Sequence, residues 1–250
     1  MNSSVRRPIR NNLEFVKKRV WEFVFPPLCL LCDQPRSAHR WFCEKCRSDL
    51  ILNRKNRNGC PRCGVNRATH QCACEFVWDY PFEKIVSLLD YTDPVQRIMH
   101  YVKYSGFFSL AYDMGREFAQ GIPSGCFDGF DIAAPVPLHF LRRLRRGYNQ
   151  AEWFAKGVLD ESGVKGMQLM GGLLRRTRHT RTQTKLTKEE RRRNLSNAFA
   201  LGKGMESVVK GKKVVLFDDV VTTGSTVGLC TKVLLEAGCA GVIVVSMARD

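Results

Sequence analysis

The sequence predicts an α/β fold, a parallel sheet covered by helices on both faces, preceded by a small cysteine-rich module. Three observations predict it. The runs Lys212–Asp219 (KKVVLFDD) and Ala240–Arg249 (AGVIVVSMAR) are continuously apolar rather than alternating, as in strands buried on both faces. Segments with helical spacing lie between such runs, the order that builds a parallel sheet. Eight of the eleven cysteines fall between Cys29 and Cys74, ahead of the first clear strand pattern.

The elements follow in order. NNLEFVKKRVWEFVF, residues 11–25, carries charges inside an apolar pattern and reads as an amphipathic helix rather than a secretory segment. FVFPPLCLLC, residues 23–32, is too short and too proline-rich to span a bilayer. From Phe82 the character changes. KIVSLLDY reads as a strand. DPVQRIMHYVKY reads as a helix with Asp93 as N-cap and Pro94 at the first helical position. FSLAYDMGREFAQGI is a second helix, FDIAAPVPL a strand stopped by two prolines, and NQAEWFAKGVLDE a helix. MGGLLRRTRHTRTQTKL begins apolar and becomes a basic loop, and TKEERRRN reads as a short charged helix. STVGLCTKVLLEAG lies between the two Val-rich runs with helical spacing and a closing Gly238. The chain thus divides into a helical extension (1–25), a cysteine module (26–80) and an α/β domain (81–250).

Forty Lys and Arg against 24 Asp and Glu give a net charge of +16. That excess points to polyanionic partners, nucleic acid or phosphorylated metabolites. Between His139 and Arg193 fifteen basic residues face five acidic ones. With no membrane segment and no export signal, the expected compartment is the cytoplasm, where clustered cysteines bind metal rather than form disulfides. Cys126, Cys230 and Cys239 stand apart from the cluster, and the last two read as core.

The cluster consists of four pairs: Cys29 and Cys32, Cys43 and Cys46, Cys60 and Cys63, Cys72 and Cys74. A two-residue spacer lets both thiolates of a pair reach one metal from a tight turn, and two turns complete a tetrahedral zinc site. All-sulfur sites are closed to substrate, so two structural zinc ions are expected. Neighbouring pairs share an ion in the simplest arrangement, and interleaved pairing is the alternative. Cys72 and Cys74 have a one-residue spacer, and His70 could replace one of them.

The chemistry-bearing stretch is KKVVLFDDVVTTGST. Asp218 and Asp219 follow an apolar run, at the rim where parallel sheets bind ligands. Thr222, Thr223, Gly224, Ser225 and Thr226 then lead into a helix, whose N-terminal N–H groups and neighbouring hydroxyls suit a phosphate. Carboxylates beside a phosphate make sense if they meet hydroxyls or a metal ion. A ribose 5-phosphate fits both requirements.

VVLFDDVVTTGST resembles the binding motif for phosphoribosyl pyrophosphate (PRPP) of the type I phosphoribosyltransferases. APVPLHFLRRLRRGYNQAEWFA, LLRRTRHTRTQTKLTKEERRRNLSNAF and VSMAR, with the cysteine pairs, resemble the ComF family of that superfamily. The resemblance implies a type I phosphoribosyltransferase-like sheet behind an N-terminal double zinc ribbon. It implies that Asp218 and Asp219 contact the PRPP ribose and that residues 222–226 hold the 5-phosphate. It places the pyrophosphate loop at Ala133–Pro137, including Pro135, Val136 and Pro137. The RRTRHTRTQ segment takes the position of a mobile loop, with Arg175, Arg176, Arg178 and Arg181 beside the leaving pyrophosphate, together with Arg142, Arg143, Arg145 and Arg146. Mg²⁺ would accompany PRPP. The family's association with competence implies single-stranded DNA, a helicase or another uptake component as partners. Transfer to an unnamed acceptor is one expectation. A non-catalytic single-stranded-DNA-binding factor that keeps the pocket for sensing is the other.

Overall fold

A computed structural model describes residues 27–36, 40–55, 58–70, 72, 81–138, 140–177 and 198–250. The expected helix within 1–25, Cys74, Arg178, Arg181 and the helix at 187–194 lie outside the described residues. Five parallel strands form the main sheet: β1 (Ile85–Asp90), β2 (Ile132–Pro135), β3 (Gln168–Leu169), β6 (Lys213–Val221) and β7 (Gly241–Arg249), in the order β1-β7-β6-β2-β3. A separate antiparallel ribbon pairs β4 (Leu174–Arg176) with β5 (Phe199–Leu201). The described helices are α1 (Glu44–Lys55), α2 (Asp93–Tyr104), α3 (Phe108–Phe118), α4 (Phe140–Arg146), α5 (Gln150–Ser162), α6 (Glu206–Val209) and α7 (Ser225–Glu236).

The continuous apolar runs are buried on both faces, as their composition requires. Val214 and Leu216 of β6 share one core with Val227, Cys230 and Leu234 of α7. The alternate residue Phe217 faces the other side, where Phe154 of α5 meets it edge-on at 6.0 Å. On that side α3 and α5 approach closely because glycines face backbone. A Cβ on Gly115 would sit 2.4 Å from the Phe154 carbonyl, and one on Gly157 would sit 2.1 Å from that of Tyr112.

Two readings of the sequence are corrected in detail. Thr92 is the N-cap of α2, so Asp93 and Pro94 open the first turn inside it. α1, twelve residues of the cysteine module, has no counterpart in the expected elements. Its residues EKCRSDLILNRK are too polar for a clear apolar stripe. Cys230 and Cys239 are core as expected, both buried, with the Cys239 thiol donating to the Lys212 and Gly241 carbonyls.

The chain forms two compact units, Met1–Asp49 and Leu50–Asp250. The second contains the sheet and the Cys60–Cys72 knuckle. β1 is an edge strand, and the knuckle covers it: Ile85 donates its N–H to the Arg62 carbonyl at 2.8 Å. Gly64 turns the knuckle at φ +71°, and a Cβ there would lie 3.0 Å from the Ile85 carbonyl.

Candidate functional site

Strand order creates the site. After β2 the chain moves outward to β3, and after β6 it moves the other way to β7, although β2 and β6 are hydrogen-bonded neighbours. The loops beyond those two strands therefore part, leaving a crevice at their carboxyl ends. A cavity of ≈820 Å³ lies there, lined by Lys103, Val136, Pro137, Arg145, Arg146, Gln150, Arg176, Asp218, Asp219 and Thr226 among others.

Its floor is the acidic pair. β6 continues two residues past the aspartates to Val221, so their backbone is held by the sheet. Asp218 Oδ1 accepts from the Asp219 N–H at 2.9 Å, and Asp219 Oδ1 from the Val220 N–H at 2.8 Å. Asp219 Oδ2 meets the Lys103 ammonium at 3.3 Å. Burial, then the charge of Asp219, raises the Asp218 pKa well above its ordinary value. A hydroxyl or a cation arriving at this floor relieves that cost.

The turn follows. Gly224 adopts φ +78° as N-cap of α7, a conformation that side chains disfavour. The Thr223 and Ser225 hydroxyls bond one another at 2.8 Å, and the Ser225 N–H reaches Thr223 Oγ1 at 3.4 Å. α7 thus presents its first N–H groups amid hydroxyls, the arrangement that binds anions. Thr226 lines the cavity, while Thr222, Thr223, Gly224 and Ser225 build the turn beside it.

The opposite wall is the loop after β2. Its backbone is fixed by Val136 N–H to the Phe217 carbonyl at 2.8 Å, and by Asn149 Nδ2 to the Val136 carbonyl at 3.0 Å. Asn149 also caps α5 through the Ala151 N–H. Tyr148 donates to the Val102 carbonyl at 2.6 Å and so ties this segment to α2. Val136 and Pro137 reach the cavity, whereas Pro135 remains in strand β2. Arg175 and Arg176 belong to strand β4 rather than to a loop, and consecutive strand residues face opposite ways. Arg176 lines the cavity, and Arg175 bonds the Leu201 carbonyl through Nε at 3.1 Å.

The cavity also draws in Lys103, which the sequence did not point to, and Gln150, whose role in the RGYNQ motif the sequence left open. Lys103 lies far upstream of Asp219, and its signal was a lysine ending an amphipathic helix at the rim. Gln150 buries both Oε1 and Nε2 without a hydrogen-bond partner, which fits a wall awaiting a polar ligand.

The cysteines form two clusters. The sulfurs of Cys29, Cys32, Cys43 and Cys46 all lie within 4.8 Å of one another, as do those of Cys60, Cys63 and Cys72. Among the described residues, Cys29 and Cys32 thus share a cluster with Cys43 and Cys46, and Cys60 and Cys63 with Cys72, as in the simpler of the two arrangements. Zn–S bonds of about 2.3 Å place tetrahedral sulfurs about 3.8 Å apart. The separations of 3.6 Å (Cys32–Cys43), 3.4 Å (Cys63–Cys72) and 3.3 Å (Cys72–Cys60) are somewhat tighter than that, and bring the sulfurs together around one point in each cluster. Burial alone would raise the Cys60 pKa, but the Cys63 and Arg62 N–H groups and neighbouring thiols outweigh it and bring it to about 6. Burial and neighbouring thiols push Cys63 the other way, up to about 11, so this cluster holds one thiolate readily and further ones at a cost that a cation would offset.

A parallel sheet with an acidic pair before a glycine-turned hydroxyl loop defines a phosphoribosyltransferase domain, here preceded by cysteine knuckles. Residues 108–250 match the Phosphoribosyl transferase domain family, and residues 20–77 match the Double zinc ribbon domain family. The chain belongs to the ComF family. It is 33% identical over 232 residues to the DNA utilization protein YhgH of Escherichia coli K12, covering 90% of this chain and 97% of that protein. Competence protein F of Haemophilus influenzae is 28% identical over 225 residues, covering 85% of this chain and 92% of that protein. Competence protein ComFC of Bacillus subtilis is 27% identical over 233 residues, covering 84% and 90%.

Proposed function

We propose that the rim cavity binds PRPP with Mg²⁺ and transfers its phosphoribosyl group to an acceptor. The observation that carries this reading is the pairing of two carboxylates on β6 with the Gly224 turn at the start of α7. Residues 222–226 would hold the 5-phosphate through N–H groups and hydroxyls. Asp218 and Asp219 would accept from the ribose 2- and 3-hydroxyls. Arg176, Arg145 and Arg146 stand where they would meet the pyrophosphate, against the wall formed by Val136 and Pro137. Mg²⁺, when bound, would neutralise charge on the pyrophosphate as it leaves. The cationic side chains stabilise the same developing charge while the acceptor atom bonds to C1 and the C1–oxygen bond breaks. The relatives' names, DNA utilization and competence, support a role in handling DNA; a cytoplasmic location and a helicase or another uptake component as partner belong to the same proposal. No described helix is long and apolar enough to cross a membrane. The test is pyrophosphate release on incubation with PRPP, Mg²⁺ and a panel of bases and amines. Release should require an acceptor and vanish in Asp218→Asn. Binding without release for every acceptor would overturn the catalytic half.

One feature favours the second reading, single-stranded DNA binding without turnover. α4 exposes Phe140 (68%) and Leu144 (71%) among Arg143, Arg145 and Arg146 beside the cavity. Interleaved apolar and cationic side chains suit bases and phosphates. Such binding should weaken steeply with salt. Salt-insensitive binding would contradict it.

A further inference from the structure

We propose that the Cys60–Cys72 knuckle clamps the phosphate turn, and that Arg249 is the positioning residue through which it acts. This inference rests on reading residues 222–226 as the anion site.

Arg249 ends β7 and is 7% exposed. Its guanidinium bonds backbone carbonyls of three segments. Nε donates to the carbonyl of Cys63, a residue of the metal cluster, at 3.0 Å. Nη1 donates to Val221 at 3.1 Å, and also to Thr222 and Asp250. Val221 and Thr222 are the two residues from which the phosphate turn springs. A planar guanidinium holds its donors in one fixed fork. One rigid group therefore joins the metal knuckle to the start of the anion site. The Asp250 N–H also donates to the Val221 carbonyl, at 3.0 Å, securing the same point.

The knuckle end of this link is anchored independently. The Asn66 carboxamide gathers the Asn58 and Ala68 N–H groups and donates to Asp90 Oδ2 at 2.6 Å. Asp90 lies opposite Arg249 in the β1–β7 register. Cys63 is thus held at its sulfur by the cluster and at its carbonyl by Arg249. Loss of the metal frees the sulfur side, and the carbonyl loses its fixed position. The guanidinium then no longer sets Val221 and Thr222, and the N–H groups that follow lose their preorganisation toward a phosphate. The four bonds of Arg249 all go to backbone oxygens. Its effect is on where the turn sits.

The test uses the full chain with zinc bound and two probes, PRPP with Mg²⁺ and inorganic phosphate. Cys72→Ser removes one sulfur of the second cluster, and Arg249→Met removes the fork. Each should weaken both probes about tenfold, the scale of losing a charge-assisted hydrogen bond. The double variant should bind no more weakly than either single, because both changes break one link. Arg249→Met should keep its zinc, which separates the clamp from metal loss. Amide hydrogen exchange at residues 222–226 should quicken in both variants, while the centre of β6 stays protected. Should Cys72→Ser fail to fold, Arg249→Lys keeps the charge without the fork, and it should show the same loss. Wild-type affinity in zinc-depleted Cys72→Ser, or losses that multiply in the double, would overturn the clamp. If the wild type binds neither probe, the anion-site reading fails instead, and exchange at 222–226 still decides the clamp by itself.

Discussion

The two cysteine knuckles share their chemistry but differ in what their backbones do. In the first, the described backbone bonds run among residues 27–47: Cys29 N–H to the Gln34 carbonyl, Asp33 N–H to that of Cys29, and Leu30 N–H to that of Trp41. Four sulfurs gather there, and Cys43 leads directly into α1. In the second, three hydrogen bonds tie the knuckle to the sheet: the Ile85 N–H donates to the Arg62 carbonyl, the Asn66 carboxamide to Asp90 Oδ2, and the Arg249 guanidinium to the Cys63 carbonyl. A metal site can thus fold a short segment or serve as one wall of a neighbouring core. Only the second of these should be felt at the rim.

The largest test of that contrast is metal removal by substitution. Cys60→Ser should lose one zinc per chain and lower the melting temperature of the α/β unit by roughly 10 °C, since metal affinity is folding energy. Cys32→Ser should also lose one zinc, yet leave PRPP affinity unchanged within about twofold. Zinc analysis, calorimetry and thermal melts on the two variants decide it. Equal effects on the α/β unit would break the comparison.

A smaller effect is expected at the contact between knuckle and edge strand. Gly64→Ala places a Cβ at φ +71° and 3.0 Å from the Ile85 carbonyl. It should cost about 1–2 kcal/mol and lower the melting temperature by about 3–6 °C. A neutral result would show that the knuckle does not press on β1.

The smallest change has the opposite sign. The Asp218 pKa is raised from 3.8, first by burial and then by Asp219. A folded pKa above the unfolded one means that the fold binds the proton more tightly. Stability therefore falls as pH rises from 3.8 through the folded value. Asp218→Asn removes that loss and should raise the melting temperature at pH 7 by about 2–4 °C while impairing ligand binding. A drop in melting temperature would mean that the carboxylate is satisfied in the free protein.

Much of this architecture was legible because its elements are apolar runs. β6, β7 and α7 fall where KKVVLFDD, AGVIVVSMAR and STVGLCTKVLLEAG place them, and the turn between them carries its chemistry in sequence. Short or polar elements were not legible. β4 is three residues, two of them arginine, and it pairs with β5 across a long insertion. The cavity's α2 side also escaped. Lys103 meets Asp219, and Arg249 meets Cys63, across separations that no local pattern encodes. Such contacts follow from strand order, which sets β1 beside β7 and β7 beside β6.

The most direct measurement is calorimetric titration of the zinc-loaded protein with PRPP and Mg²⁺, beside Asp218→Asn, Asp219→Asn and Gly224→Val. The wild type should bind saturably at one site per chain, each Asn variant should bind at least about tenfold more weakly, and Gly224→Val should not bind. No heat of binding in the wild type, or equal affinity in all four proteins, would contradict the assignment of the rim cavity to PRPP.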